Sequence, residues 1–160
     1  MNDLLEYVNN GGTMVVQYNT SNGLVTDKFS PYPLTLSRDR TTDENAEVRI
    51  LKPDHPLLNT PNKIIASDFD GWIQERGLYF PNKWDPNFEA LLSMNDTGEK
   101  PQDGSLLVAK YGNGHYVYTG LSFFRELPDG VSGAYKLFAN IVSLGKPKKL
   151  EKDKVKGKAR

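Results

Sequence analysis

Between Gly104 and Phe124 the chain reads GSLLVAKYGNGHYVYTGLSFF. Ser105 to Lys110 and His115 to Leu121 are apolar almost throughout, and Tyr111-Gly112-Asn113-Gly114 separates them. Asn-Gly between two β-rich runs is a strong hairpin signal, so the pattern predicts two adjacent antiparallel strands. Strands without polar alternation are covered on both faces, and that covering calls for helices. One follows directly. Over Gly130 to Ser143, Ala134, Phe138, Ile141 and Val142 recur at helical spacing, with Ser132 as a cap and Gly145 as a stop.

The start of the chain has the same grammar. Asp3 to Asn10 predicts a short helix with Leu4, Leu5 and Val8 on one face, ended by Gly11-Gly12. Thr13 to Tyr18 predicts a buried strand, and a helix leading into an apolar strand is one step of a parallel sheet. The middle is less regular. Asn19 to Gly23 reads as a polar turn, residues 24–37 with Pro31 and Pro33 as an edge segment, and Ser37 to Asn45 as a polar loop. Ala46 to Leu51 alternates as a strand, and Leu57 to Asn59 begins at most one helical turn. Gly71 to Phe80 reads as an aromatic strand, Pro81 to Asp85 as a turn, Ala90 to Met94 as another strand, and Asp96 to Asp103 as a polar loop. The expected class is α/β, a three-layer sandwich whose mixed sheet ends in an antiparallel hairpin and a helix.

Length and composition set the outer bounds. With 160 residues, 38% hydrophobic and 25% charged, the chain has the composition of one ordinary globular domain. It contains no cysteine, which removes disulfides, thiolate catalysis and cysteine-ligated zinc together. No apolar run is long enough to span a membrane, and MNDLLEYVNN has neither the basic nor the apolar region of a signal peptide. The zero net charge conceals an asymmetry: residues 146–160 carry eight basic and two acidic side chains. That segment has too few apolar residues for a core, so the expected division is a folded domain over 1–145 and a basic, disordered tail over 146–160. Nucleic-acid modules interleave basic and aromatic residues on a folded face. Here the tail has no aromatic residue and the rest is acidic, so neither nucleic acid nor membrane is expected as a partner.

The candidate sites come from side-chain chemistry. Asp68-Phe69-Asp70 with Glu75 is the densest acidic group and has the oxygen ligands of a Ca²⁺ or Mg²⁺ site, against a plainer role in holding a loop. His55 and His115 lie at unrelated positions, and no metal site is expected from them. Trp72, Tyr79, Phe80 and Trp84 fall within thirteen residues. As a strand, this segment puts Trp72, Gln74, Arg76 and Leu78 on one face and Ile73, Glu75, Gly77 and Tyr79 on the other. Charges on both faces of one strand are either paired or reach a cleft. If they are paired the segment is core packing; if they reach a cleft, Trp72, Gln74, Glu75, Arg76 and Trp84, joined by Arg125 and its neighbour Glu126 beyond the hairpin, are the candidate ligand-binding residues.

GWIQERGLYF (71–80) and DGSLLVAKYGNGHYVYTGLSFFRELPDGVSGAYKLFANIVSL (103–144) resemble the end of the amidotransferase-like domain that follows the catalytic domain of PIG-L, or LmbE-like, bacterial deacetylases. The resemblance runs from about Leu4 to Leu144. It implies a flavodoxin-like sandwich lacking its first strands, and an upstream zinc-dependent domain acting on N-acetylated sugars. That domain's His-Pro-Asp-Asp signature is absent, and His55-Pro56 comes nearest to it. Zinc is thus expected only in the missing domain, with no cofactor in this chain. Catalytic members of the amidotransferase fold place a cysteine after a central strand and a histidine after a later one. Here those positions read Asn19-Thr20-Ser21, where Thr20 or Ser21 is the available nucleophile, and Gly120-Leu121-Ser122. Without a nucleophile and base together, the resemblance implies a non-catalytic accessory domain with no catalytic residue. Its implied partners are the deacetylase domain or a second copy of itself. The more distant resemblance to ThuA-like proteins, through Asp54-His55-Pro56-Leu57 and Trp72/Trp84, implies a carbohydrate-binding domain instead. A structural module that dimerises through Trp72 to Phe80 is the third expectation.

Overall fold

The structure, a computed structural model, describes residues 1–20 and 28–145. The basic tail read over 146–160 and the nucleophile candidate Ser21 lie outside the described residues. Helix α1 (Asn2–Asn9) leads into β1 (Thr13–Gln17), and the expected hairpin is β7 (Leu106–Tyr111) and β8 (Gly114–Thr119). β1 runs parallel to β8, with Val15 opposite Val117, while β7 runs antiparallel to β8 and to β5 (Phe88–Ala90). The sheet order is β1-β8-β7-β5. Tyr111 pairs with Gly114, so the turn is the two residues Gly112-Asn113, and Gly112 adopts the left-handed φ of 56°.

Both faces of this sheet are covered, as the unbroken apolar runs require. Val15, Leu106, Val108 and Val117 face one core, and Ala134, Leu137 and Ile141 of α3 (Ser132–Ser143) close it. Met14, Val16, Leu107, Ala109, Tyr116 and Tyr118 face the other. The second cover is not a helix. It is Phe29, Tyr32 and the antiparallel ribbon of β2 (Leu34–Thr41) and β4 (Gly77–Trp84), through Leu34, Leu36 and Trp84. The result is a three-layer α/β arrangement around a mixed sheet. Among the described residues no helix is long and apolar enough to cross a membrane.

The structure corrects several local expectations. Ser37 to Thr41 is strand, because a two-stranded ribbon lets Arg38 and Arg40 point into water while its backbone pairs with β4. Pro81 and the residues after it belong to β4, because the ribbon is irregular there and needs no N–H from proline. Of Ala46 to Leu51 only β3 (Arg49–Ile50) pairs, and Ala90 to Met94 splits into the end of β5 and β6 (Leu92–Ser93), which takes β3 as partner. Leu91 marks the split: its N–H donates to Leu106 O and its carbonyl accepts from Leu51. α3 starts without a side-chain cap, and Val142 is exposed, so its buried stripe is Ala134, Leu137 and Ile141. Leu4 is also exposed, since α1 buries mainly Val8.

α3 is fixed at both ends. A Cβ on Gly133 would lie 1.7 Å from Asp68 O, so only glycine lets the helix meet the 3-10 turn Ala66–Phe69. At the other end Thr13 Oγ1 donates to Leu144 O at 2.6 Å and ties the helix to β1. Replacing Thr13 with valine keeps the shape and removes that donor. We expect a loss of about 1 kcal/mol, read as a lowered urea midpoint at unchanged slope.

Candidate functional site

β1 and β8 end side by side, at Gln17 and Thr119. In parallel pairs this carboxyl end is where loops gather and ligands bind. β1 leaves through Tyr18, whose N–H donates to Thr119 O at 2.8 Å and whose φ is 49°. β8 leaves through Gly120, Leu121 and Ser122 into α2 (Phe123–Glu126), a short helix with no sequence signal strong enough to predict it.

The segment before β4 crosses these exits. Trp72 to Arg76 is not strand. Glu75 N–H donates to Ile73 O at 2.7 Å around Gln74, whose φ is 66°, which makes a left-handed γ-turn, the rarer and more strained kind. Four contacts hold it. Ile73 N–H donates to the Glu126 carboxylate at 3.0 and 3.3 Å, and Ser122 Oγ donates to Glu75 O at 2.8 Å. Arg76 N–H donates to Thr41 O, and Arg76 O accepts from Ser122 N–H.

The turn delivers the Glu75 carboxylate to the two strand ends. Tyr18 Oη donates to Glu75 Oε1 at 2.6 Å, and Arg125 Nε donates to the same oxygen at 3.2 Å. The Tyr18 ring meets Phe124 and Tyr79 edge-on, at 4.6 and 5.4 Å between centroids. The Arg125 guanidinium lies over Phe124 at 4.8 Å. Tyr79 also has a left-handed φ, 59°, and its carbonyl accepts from Tyr118 Oη at 2.8 Å. Among the described residues Tyr18, Gln74 and Tyr79 are the non-glycine residues with positive φ, and all three stand at this corner. Such conformations persist only where surrounding contacts hold them, and they cluster at functional sites.

The electrostatics fit a neutral phenol against an ion pair. Burial, followed by the bond to Glu75, pushes the Tyr18 hydroxyl above its ordinary range, so it keeps its proton and donates it. Glu126 is fully buried and burial raises its pKa, against the pull of Ile73 N–H, Ser122 and Arg76. The Ser122 hydroxyl proton lies between two acceptors, Glu75 O at 2.8 Å and Glu126 Oε1 at 3.2 Å.

The residues singled out in the sequence fall in three places. Gln74, Glu75 and Arg125 are at the corner. Trp72 and Arg76 are core residues, 3% and 4% exposed. Trp72 packs between Phe69 and Phe123 and donates to Asp68 O, while Arg76 donates to the carbonyls of Ala46 and Phe69. Trp84 stands at the far end of β4, half-buried. The expected two-faced strand over 71–80 fails because the γ-turn rotates Glu75 and Arg76 out of alternation. Glu126, read beside Arg125, is at the corner too, and so are Tyr79 of the aromatic group and Ser122 of the β8 exit, while Tyr18 and Phe124 were missed as site residues. Their one sequence signal is position, since residues that follow two parallel apolar strands share the same end of a sheet.

The acidic group disperses as well. Asp68 accepts from Ile65 N–H at 2.9 Å and from Lys136 Nζ at 2.7 Å, Asp70 is exposed, and Glu75 is held as above. His55 Nδ1 accepts from Leu57 N–H, and His115 lies at the opposite end of β8 from the corner. Among the described residues no three histidine or carboxylate side chains are placed to hold a metal ion.

No protein-family model and no curated protein matches the chain. What the fold defines is a class, a three-layer α/β domain with a mixed sheet. Within that class the chain is similar to the solved structure of Cytoplasmic Protein STM3548 from Salmonella typhimurium, with a TM-score of 0.53 and 16% identity. The likeness covers 89% of this chain and 58% of that one, so the chain spans less than two thirds of its neighbour's length, and at this identity they share the fold alone.

Proposed function

We propose that the chain is a non-catalytic, amidotransferase-like accessory domain that works beside a zinc-dependent deacetylase of N-acetylated sugars. The observation that carries the reading is the identity of the residue on the strained turn after β1. It is Tyr18, whose phenol proton is committed to Glu75, and the Asn19-Thr20-Ser21 position that follows it carries no thiol, whereas an acyl-transfer enzyme needs an activated nucleophile there. The exit of β8 offers Gly120, Leu121 and Ser122, with no imidazole to act as base. The association with a deacetylase rests on the resemblance of 71–80 and 103–144 set out above. In this reading the zinc belongs to the other domain.

The test has two arms. The purified chain is incubated with N-acetylglucosamine and zinc, and separately with glutamine, and acetate and glutamate are measured. Neither is expected above the protein-free blank. In the second arm a PIG-L-type deacetylase domain is co-expressed with the chain, and the two are expected to purify together. Zinc-dependent acetate release that scales with this chain alone would overturn the proposal.

A further inference from the structure

We propose that the open edge of β1 pairs with the same edge of a second copy, antiparallel across a two-fold axis centred on Val15, so that two four-stranded sheets join into one. β1 is the end strand of its sheet, and its pairing with β8 fixes which backbone groups are left over. Tyr18 N–H donates to Thr119 O and Gly12 O accepts from His115 N–H, so the even-numbered residues face β8. In a parallel ladder the residues between them turn their N–H and C=O away. Thr13, Val15 and Gln17 therefore each present a donor and an acceptor to the open side, and none of these main-chain groups has a partner among the described residues. No residue of β1 is buried, although Met14, Val15 and Val16 are apolar and β8 beside it is buried almost throughout.

The residues of the edge say what fits it. Natural edge strands are guarded by charge, by proline or by shortness. The opposite edge of the sheet, β5, has three residues and carries Glu89 in an ion pair with Lys52. In the ribbon, β2 carries Arg38, Asp39 and Arg40, and β4 carries Pro81 and Lys83. β1 reads TMVVQ, with no charge and no proline. Such an edge is complementary to itself. Centred on Val15, it sets Val15 opposite its own copy, Met14 opposite Val16 and Thr13 opposite Gln17, with no like charges opposed and β-branched residues in register. Thr13, Val15 and Gln17 all point outward, so their pairings are of the hydrogen-bonded kind and supply about six main-chain hydrogen bonds. The two-fold closes the contact, so association stops at a dimer.

The flanks of the edge are apolar as well. Leu4 and Tyr7 of α1 are 49% and 58% exposed, and Val142 of α3 is 43% exposed. Tyr7 and Val142 share a cleft of about 230 Å³ with Thr13 and Leu144, at the start of β1. Antiparallel pairing sets the start of one β1 beside the end of the other. It brings this cleft and the exposed face of α1 in one copy to the side of the Tyr18 corner in the other, where Phe124 is 51% exposed. The dimer thus covers apolar surface at both ends of each β1 and adds residues of a second chain beside the corner. This edge is separate from the aromatic segment Trp72 to Phe80, whose Trp72 and Phe80 side chains lie in the core.

Sedimentation velocity of the full chain, from about 1 µM to about 200 µM, measures the association, and amide hydrogen exchange locates it. A monomer–dimer equilibrium with a Kd below about 50 µM is expected. The amides of Thr13, Val15 and Gln17 should gain at least about tenfold protection as the dimer forms, while those of Val16 and Tyr18, bonded to β8, exchange slowly throughout. Gln17→Pro removes one outward N–H, leaves the β8 ladder intact, and should weaken the dimer at least about tenfold at an unchanged melting temperature of the monomer. Val142→Glu leaves the backbone alone, sets a charge at the seam, and should weaken the dimer about fivefold. A chain that stays monomeric at about 200 µM, a dimer in which those amides exchange as in the monomer, amides already protected in the monomer, or a Gln17→Pro dimer as tight as the parent would each overturn the proposal. So would protection that appears only when a PIG-L-type deacetylase domain is added, which would give the edge to that domain. Self-association and co-purification with a deacetylase are separate readouts, so this proposal and the accessory-domain reading fail independently.

Discussion

Arg76→Ala is expected to cost about 3–5 kcal/mol of folding free energy, the largest loss from any single side chain considered for this protein. Arg76 is 4% exposed, and among the described residues its guanidinium makes no ion pair at contact distance. Nε and Nη2 donate to Ala46 O at 3.1 and 2.8 Å, and Nη1 donates to Phe69 O. The rings of Phe69 and Trp72 each lie 6.0 Å from its charge centre. Burial draws its pKa down while Asp43, Asp70, Glu126 and Glu44 draw it up, so the charge is sustained by a diffuse acidic field. Alanine orphans two carbonyls at about 1–3 kcal/mol each, opens a void between two aromatic rings and leaves those acids without a countercharge. A neighbouring cleft of about 330 Å³ admits water to the exposed edge, which sets the lower end of the range. Arg76→Lys keeps the charge, but one ammonium cannot span both carbonyls, so it should lose about half as much. Urea unfolding of the three proteins decides the matter, and an Arg76→Ala variant within about 1 kcal/mol of the parent would refute this account.

That result would also explain why the sequence misdirects here. Arg76 sits beside Glu75, and adjacent opposite charges in an aromatic run read as the two faces of a strand. The structure spends them differently: Glu75 turns outward to Tyr18 and Arg125, and Arg76 inward to backbone carbonyls. Deciding between those fates requires knowing that Ser122 and Glu126, some fifty residues later, arrive to hold a γ-turn at Gln74. Local pattern carries no such information. It does carry the sheet. Val15, Val108 and Val117 on one face, and Val16, Ala109 and Tyr118 on the other, follow from period-two alternation in runs that are apolar on both sides. Polar β2 escaped notice for the converse reason, since a ribbon with one face in water needs few apolar residues. The left-handed Tyr18 escaped because nothing in Gln17-Tyr18-Asn19 asks for it, and the strain is imposed by the parallel neighbour and by Glu75.

The latch on that strained turn yields the second large effect. Glu126→Ala is expected to cost about 2–4 kcal/mol, because Ile73 N–H loses its acceptor and the γ-turn loses its main tether. Glu126→Gln is expected to be close to neutral or slightly stabilising at neutral pH. Its amide oxygen still accepts from Ile73, and its neutral side chain carries no charge into the buried site. The two forms therefore separate with pH. Burial raises the folded-state pKa of Glu126 above that of the unfolded chain, so between those values the folded state holds more protons. Stability from this group is then fully present below the unfolded value, near the ordinary glutamate pKa of about 4.3, and is lost as pH rises through the folded one. The Glu126→Gln protein lacks that loss. Urea midpoints of parent and variant, measured from about pH 4 to about pH 8, should converge at the acid end and separate in favour of the variant above it. Parallel profiles would mean that Glu126 titrates alike in the folded and unfolded chain, and would refute the pH-dependent part of this account.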